Sequence, residues 1–203
     1  ADRQPILTFV GEQSEQVAIE AIRRELLREG QVFWVHNRVQ SIEERAAEIR
    51  EWVPEARVAV AHGQMDEAAL EQIVLDFWEG NFDVLVCTTI IESGIDMPTV
   101  NTLVVERADL LGLGQMHQLR GRVGRGAEKS YCIFMPGDKL SKESMKRMDT
   151  MVMTNDGFQI SEVDLQLRGP GDLMGTQQSG VLNLKLADLS RDGQIVSLAR
   201  EKA

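Results

Sequence analysis

Short apolar segments alternate with longer amphipathic segments through the first two thirds of the chain. The apolar runs are typical of buried strands and occur at six places: Ile6–Val10, Gln31–His36, Arg57–Ala61, Asp83–Thr88, Thr102–Glu106 and Ser130–Met135. Strands that alternate with helices predict an α/β fold, in which a parallel sheet is flanked by helices. Right-handed crossovers would place all the loops that follow the strands at one edge of this sheet.

The amphipathic segments carry signals for the beginning and end of helices. Gly30 predicts the end of the first helix. Ser41, followed three residues later by Glu44, predicts a capping box at the start of the second. Asp66 and Gly80 predict the N-cap and the end of the third.

The alternation stops after residue 135. A Pro-Gly pair there predicts a turn, residues 140–153 predict a methionine-rich helix, and the remaining sequence is punctuated by glycine. We therefore divide the chain near residue 137, into an α/β domain over residues 1–137 and a smaller appendage over residues 138–203.

Composition narrows the class of protein. The 203 residues are 43% hydrophobic and 27% charged, which is typical of a globular protein, and no apolar run is long enough to span a membrane. We therefore expect a cytoplasmic protein without a membrane partner. Cys87 and Cys132 lie within apolar runs, so we expect buried thiols, and the three histidines are too scattered for a metal site. The net charge of -10 argues against a general nucleic-acid binder but leaves room for a local basic site.

Such a basic site is indicated by the run from Gln118 to Arg125, QLRGRVGR, which has three arginines and two glycines in its last six residues. The guanidinium group matches phosphate oxygens two at a time, and glycine lets the backbone approach a ligand closely. A solvated basic turn is the alternative interpretation. We expect this arginine loop to bind phosphate.

A second segment with polar groups follows the fourth predicted strand. Thr88 and Thr89 at the end of that strand can donate to a phosphate, and Asp96, beyond Gly94, can accept from a ribose hydroxyl. Threonines at strand ends are also often structural. We expect this segment, the loops after the second and third strands, and the arginine loop to meet at one edge of the sheet, where open parallel sheets bind ligands.

Three stretches together resemble a known family. AHGQM at 61–65, TTIIESGIDMP at 88–98 and QLRGRVGR resemble the later motifs of a superfamily-two helicase, in the second of its two RecA-like domains. The sequence DLQLRGPGDLMGTQQSG at 164–180 resembles the translocation motif shared by the RecG and Mfd (transcription-repair coupling factor) families of DNA translocases. The resemblance implies a RecA-like fold over residues 1–137 and a translocation region, consisting of a helical hairpin and a loop, over residues 138–203.

The resemblance assigns a nucleotide site. In these families ATP lies between two RecA-like domains, and the second domain supplies arginines that reach the γ-phosphate. The matching residues are Arg122 and Arg125, with Gln118 assisting and Gly94 and Asp96 lining the other side of the nucleotide. An arginine finger of this kind contributes about 10³ to 10⁵ in rate.

The resemblance also assigns contacts to DNA and a translocation element. The DNA candidates follow three predicted strands: Asn37, Arg38, His62, Gly63, Thr88 and Thr89. Arg168 and Gln178 would lie in a loop that transmits motion to duplex DNA, and Arg147 in the helical hairpin that supports this loop. For Arg168 the alternative is a tight turn that ends a strand, and for His62 and Gly63 an ordinary turn at a strand end.

Two helicase elements are missing from the sequence. The chain contains neither a GxxxxGK[ST] phosphate loop nor a DExH box, which belong to the first RecA-like domain and bind most of the ATP and Mg²⁺. We therefore expect a piece of a longer polypeptide that requires the first RecA-like domain as its partner and is inactive alone.

Three hypotheses for function remain at this point. The first is the motor half of a RecG-like translocase that remodels double-stranded or branched DNA in repair and recombination. The second is the same motor in the coupling factor, which displaces stalled RNA polymerase. This hypothesis is kept because residues 31–65 resemble that family more closely than the tail does. An engineered or fused segment also fits this mixed character. The third is a non-catalytic protein-interaction module with a RecA-like fold, which the acidic charge favours.

Overall fold

A computed structural model describes residues 6–11, 15–88, 100–124 and 129–175 of the protein, with only the helical course of the last seven. The described residues form a six-stranded, fully parallel sheet in the order β1-β6-β5-β2-β4-β3. The strands are β1 (Ile6–Val10), β2 (Gln31–Val35), β3 (Val58–Ala61), β4 (Val84–Cys87), β5 (Val100–Glu106) and β6 (Ser130–Met135). The predicted α/β fold class is confirmed.

Helices cover both faces of the sheet. They are α1 (Glu15–Leu27), α2 (Val39–Trp52), α3 (Glu67–Trp78), α4 (Leu113–Arg120), α5 (Lys142–Met153) and α6 (Gly157–Gly175). The first two pack on one face and α3 to α6 pack on the other. A helix on each side explains why the central strands are apolar at consecutive positions.

β2 shows this burial on both faces. Phe33 and Val35 face the cluster that includes α3 to α6, whereas Val32 and Trp34 face the cluster formed with α1 and α2. All five residues of the strand are buried. Cys87 and Cys132 are also buried, as expected, and burial raises the pKa of both thiols, to about 12 for Cys132.

The end of α1 differs from the prediction in detail. Glu29, and not Gly30, adopts the left-handed conformation, with φ of 58°, and the Gly30 N–H donates to the Glu25 carbonyl over 2.8 Å. Glycine is needed at position 30 for a different reason. A Cβ atom there would lie 2.2 Å from Glu25 Oε1, so any other residue would have to displace this carboxylate.

The predicted capping box at the start of α2 is wrong. The helix begins at Val39 after Arg38, so that Ser41 lies inside its first turn. The Ser41 hydroxyl lies 2.7 Å from His36 Nε2, and this contact explains the serine. The third helix follows the prediction at both ends, with Asp66 at the N-cap position, although without a side-chain capping bond, and Gly80 beyond its end with φ of 87°.

The chain after residue 137 packs on the same core as the sheet. Met148 and Met151 of α5 and Ile160 of α6 belong to the cluster that contains Phe134. The predicted methionine-rich helix is confirmed, whereas α6 continues through Arg168 where a loop or turn was expected. The division of the chain near residue 137 stays a prediction. No described helix combines the length and apolar character that crossing a membrane requires.

Candidate functional site

The predicted DNA-contacting residues that the structure describes follow neighbouring strands. β4 lies between β2 and β3, and Thr88 N–H donates to the carbonyl of Ala61 at the end of β3 over 3.2 Å. His36 N–H donates to the carbonyl of Cys87 over 2.9 Å. The carboxyl ends of the three strands therefore bring together the described candidates: Asn37, Arg38, His62, Gly63 and Thr88. Thr89 lies outside the described residues.

A buried carboxylate fixes the end of β2 at this edge. Glu106 Oε2 accepts from Trp34 Nε1 over 2.6 Å and lies 2.9 Å from His36 Nδ1. The guanidinium of Arg45 reaches both carboxylate oxygens, over 3.0 and 2.8 Å. Because an ionised carboxylate only accepts, Nδ1 of His36 carries the proton. Burial by itself raises the pKa of Glu106, but the hydrogen bonds from His36 and Trp34 and the charge of Arg45 outweigh it and lower the pKa.

This network presents two exposed polar residues. Asn37 and Arg38 come between His36 and the first turn of α2, and both are exposed. They line a cavity of about 400 Å³ between α2 and the end of β5. The first turn of a helix favours anions because its N–H groups point outward, so this position suits a phosphate group.

Thr88 and His62 differ in how their polar atoms are satisfied. Oγ1 of Thr88 is buried, and no hydrogen-bond partner for it is found in the part of the chain that the structure describes. Buried hydroxyl groups are nearly always paired, so this oxygen is a candidate for a ligand contact. Nδ1 of His62, in contrast, accepts from the N–H of Gln64 over 3.2 Å within a tight turn. That contact favours a structural role for the His62 ring.

The arginine loop lies at the opposite edge of the sheet, and our expectation that it joins the first edge is wrong. Gly124 N–H donates to the carbonyl of Val100 at the amino end of β5 over 3.2 Å. A Cβ atom on Gly124, whose φ is 77°, would approach Ile6 and Ser130, the first residues of β1 and β6, within 3.0 Å. The reason is the path of α4, which begins near the carboxyl end of β5 and runs back to the other edge. Gln118 is exposed and Arg122 is half-buried, whereas Arg125, Gly94 and Asp96 lie outside the described residues.

Arg120, the first arginine of the loop sequence, is structural. Its side chain is 2% exposed, and Nη1 donates to the Thr8 hydroxyl over 3.2 Å and to the Met151 carbonyl. Nη2 donates to the Thr154 carbonyl over 2.7 Å. The sequence carries a signal for this burial, since Arg120 shares the inward face of α4 with the buried Met116.

In the described part of the predicted translocation region, α5 and α6 form a helical hairpin. Nη2 of Arg147 donates to the Ser144 hydroxyl over 3.0 Å and to the Asp109 carbonyl over 3.4 Å, which ties α5 to the turn after β5. Arg168 is helical, and its guanidinium pairs with Asp164 over 3.0 Å with about half of its surface exposed. Gln178 lies outside the described residues. The placement of Arg168 in a loop is therefore wrong, because the sequence R-G-P-G continues α6.

His117 lies between the arginine loop and this hairpin. It belongs to α4, and a Cβ atom on Gly157 at the start of α6 would lie 3.0 Å from its Nε2. Burial lowers the pKa of His117, and the charge of Arg120 lowers it further. Its ring is therefore neutral near physiological pH. No cluster of three or more metal-ligating side chains occurs among the described residues.

Comparison with known proteins decides the family. The sequence profile of the helicase conserved C-terminal domain matches residues 16–127, which is more than half of the chain. This chain belongs to that helicase family. A profile described as ATP-dependent DNA helicase RecG, domain 3, C-terminal, matches residues 154–203. The resemblance to superfamily-two helicases of the RecG and Mfd group is thereby confirmed.

The helicase domain has curated relatives among transcription-repair-coupling factors. It is 50% identical over 184 residues to the protein from Mycobacterium tuberculosis (strain CDC 1551 / Oshkosh), and 48% identical over 185 residues to that from Escherichia coli (strain K12). These matches include 88% and 89% of this chain. The chain spans only 15% and 16% of the length of these relatives.

Solved structures agree on the fold. A structure of RecG bound to a three-way DNA junction matches 96% of this chain and 26% of that chain, with a TM-score of 0.73 and 36% sequence identity. The C-terminal domain of the DEAD-box protein Dbp5 matches 74% of this chain and 86% of that chain, with a TM-score of 0.54 and 20% identity. The second likeness shows the RecA-like fold alone.

Proposed function

We propose that this helicase domain is the second motor domain of an ATP-dependent translocase of double-stranded DNA. A first RecA-like domain of the same polypeptide would hold most of the ATP and its Mg²⁺. The observation that carries the proposal is the likeness to RecG bound to a three-way DNA junction over 96% of the chain at 36% identity. The proposal is also supported by the position of the candidate residues at two opposite edges of the sheet, with Asn37, Arg38 and Thr88 at the carboxyl ends of strands and Arg122 near the amino ends.

The edge at the amino ends of β1, β5 and β6 is proposed as the nucleotide edge. There Arg122 and Arg125 would neutralise charge on the γ-phosphate while Gln118 assists. Gly124 is held to Val100, and Asp96 precedes Val100 by only four positions in the sequence. Gly94 and Asp96 would reach this edge from the segment that precedes Val100 in the sequence. Phosphoryl transfer depends mainly on such positioning and charge neutralisation.

The carboxyl edge of β2, β4 and β3 is proposed as the DNA edge. Asn37 and Arg38 are exposed beside the first turn of α2, and Thr88 has a buried hydroxyl suited to a ligand. With Gly63 and Thr89, these residues would contact DNA phosphates, and His62 would join them through Nε2, because its Nδ1 accepts from Gln64. Contacts restricted to phosphates carry no sequence information, which suits a motor that moves over any sequence.

One segment connects the two proposed edges. Residues 89–99 join Thr88, at the DNA edge, to Val100, at the nucleotide edge. Arg120 connects the nucleotide edge to the α5–α6 hairpin through its hydrogen bonds to the carbonyls of Met151 and Thr154. Arg147, Arg168 and Gln178 would then pass the movement produced by hydrolysis to the DNA duplex.

A triplex-displacement assay tests the proposed function. The full-length protein that carries this chain would be mixed with duplex DNA bearing a triplex-forming strand, with and without ATP. We expect ATP-dependent release of the third strand, because a translocase on the duplex dislodges it. Binding of DNA should weaken steeply with salt, since counterions are released from the phosphates. A protein-interaction module would show no displacement and salt-insensitive partner binding.

Two full-length activities fit this motor, and each is favoured by a different observation. Remodelling of branched DNA is favoured by the RecG profile over residues 154–203, and displacement of stalled RNA polymerase by the 50% identity to the coupling factor. Assays of fork reversal and of release of a stalled transcription complex distinguish them. The isolated chain should hydrolyse no ATP with DNA and Mg²⁺ present, because the phosphate loop and the DExH box are missing from its sequence. Turnover above background would contradict that expectation.

A further inference from the structure

The residues that follow the arginine loop are anchored by Arg28, which follows α1. Arg28, just beyond the end of α1, donates through Nη2 to the backbone carbonyl of Lys129 over 2.6 Å. The next residue, Ser130, begins β6, and its side chain lies against Gly124, where an added Cβ would come within 3.0 Å of Oγ. Through Lys129 and Ser130, the Arg28 contact therefore helps to fix the position of Gly124 in the loop that carries Arg122.

Arg28 is itself oriented by a buried carboxylate. Glu25 is 1% exposed, and its two oxygens accept from Arg28 Nε over 2.9 Å and from Nη2 over 2.6 Å. The hydroxyl of Thr102 in β5 also donates to Glu25. A Cβ atom on Gly30 would have to displace this carboxylate. A bidentate ion pair with one partner buried is geometrically more restrictive than an exposed pair.

Gly124, near the end of the arginine loop, and Lys129, which follows it, are thus fixed to the same part of the sheet. Gly124 binds the carbonyl of Val100, and Lys129 is bound by Arg28, whose partner Glu25 is held by Thr102. Val100 and Thr102 both belong to β5. We expect these two contacts to keep Gly124, and with it the neighbouring Arg122, in place when the two motor domains close on a nucleotide.

We propose that Arg28, oriented by Glu25, is a positioning residue for ATP hydrolysis, which sets the arginine loop so that Arg122 meets the γ-phosphate. This inference rests on the proposed nucleotide edge. Arg28 does not itself touch the nucleotide. Its loss would affect the transition state more than ground-state binding, because a small displacement of a catalytic group lowers the rate steeply.

α1 offers a matched control for this role. Arg24 and Arg28 both stack on the ring of Tyr131, with Cζ at 4.8 and 5.5 Å from its centre. Of the two, Arg28 also binds Lys129 and Glu25. Arg28→Met and Arg24→Met each remove one cation–π contact, whereas only the first removes the anchor of the loop.

The experiment compares kcat and KM for ATP in the full-length protein with DNA present. We expect Arg28→Met to lower kcat by about tenfold to a hundredfold with KM within about twofold of the wild type, and Arg24→Met to retain kcat. Arg28→Lys, which keeps the positive charge and one donor nitrogen, should give a kcat between those of Arg28→Met and the wild type. Equal kcat values for Arg28→Met and Arg24→Met would overturn the proposal.

Two further variants separate the possible failures. If Arg28→Met does not fold, Arg28→Lys and Arg24→Lys form a second matched pair, judged by the same split between kcat and KM with a smaller expected decrease. Arg122→Ala is measured beside them. Retained turnover in Arg122→Ala would remove the proposed nucleotide edge and the role of Arg28 with it. Loss of turnover in Arg122→Ala, with no difference between the Arg28 and Arg24 variants, would refute the role of Arg28 alone.

Discussion

The guanidinium of Arg120 donates a 2.7 Å hydrogen bond to the backbone carbonyl of Thr154, 34 positions further along the chain. Arg120 is the first arginine of the arginine loop, and Thr154 lies between α5 and α6. A second bond, to Met151, reaches the carboxyl-terminal part of α5. One buried side chain therefore holds the arginine loop and the helical hairpin together.

Replacing Arg120 by alanine should destabilise the protein. The carbonyls of Met151 and Thr154 would lose their donor, and each buried acceptor left unpaired costs about 1 to 3 kcal/mol, so we expect a loss of about 2 to 6 kcal/mol. Urea denaturation followed by circular dichroism measures this change. Arg50→Ala is the control, because Arg50 is exposed and makes one bond to the Val58 carbonyl. Equal losses of stability in the two variants would contradict the structural role of Arg120.

The Glu106 network should make stability depend on acid pH. The pKa of Glu106 is below its ordinary value of 4.5 in the folded protein, because the hydrogen bonds and the charge of Arg45 outweigh the effect of burial. A lowered carboxyl pKa stabilises the fold fully above 4.5, and this contribution is lost as pH falls from 4.5 through the lower value. The free energy of unfolding of Glu106→Gln should therefore differ most from that of the wild type at neutral pH, and this difference should shrink as the pH is lowered. A difference in unfolding free energy that is independent of pH would exclude this role.

The sequence predicts the sheet well because its signals are local. Each predicted strand matches the observed one within two residues, since apolar runs between helices are buried on both faces wherever they pair. Gly80 ends α3 as predicted because it adopts a positive φ. These features depend on neighbouring residues alone.

The wrong predictions concern features whose structure is determined by contacts with residues that are distant in the sequence. The spacing of Ser41 and Glu44 is that of a capping box, but the Ser41 hydroxyl contacts the His36 ring instead of the helix backbone. His36 in turn belongs to the network around Glu106. The R-G-P-G sequence after Leu167 reads as a turn, although α6 continues through it. The edge at which the arginine loop lies depends on the direction of α4, which motif spacing does not show. Arg28 and Glu25 are only three positions apart, but Glu25 is also bound by Thr102 of β5, 77 positions away, and motif spacing does not show that contact.

Arg168 offers a test of the translocation region. Its ion pair with Asp164 is half exposed and joins residues one helical turn apart, so it contributes about 0.5 kcal/mol or less to stability. We expect Arg168→Ala in the full-length protein to retain DNA-stimulated ATP hydrolysis and to lose triplex displacement. Asp164→Ala, which leaves the guanidinium in place, should retain both activities. Parallel loss of hydrolysis and displacement in Arg168→Ala would refute a role specific to movement.

The central claim is that the arginine loop acts on ATP, and steady-state hydrolysis by the Arg122→Ala full-length protein tests it most directly. Arg23→Ala is the control, since Arg23 is about half exposed and pairs with Glu55 on the surface over 3.4 Å. With DNA and Mg²⁺ present, Arg122→Ala should lower kcat by about 10³ or more while ATP binding is retained, because an arginine finger acts mainly in the transition state. Arg23→Ala should hydrolyse ATP at the wild-type rate. Near-normal turnover in Arg122→Ala would contradict the account.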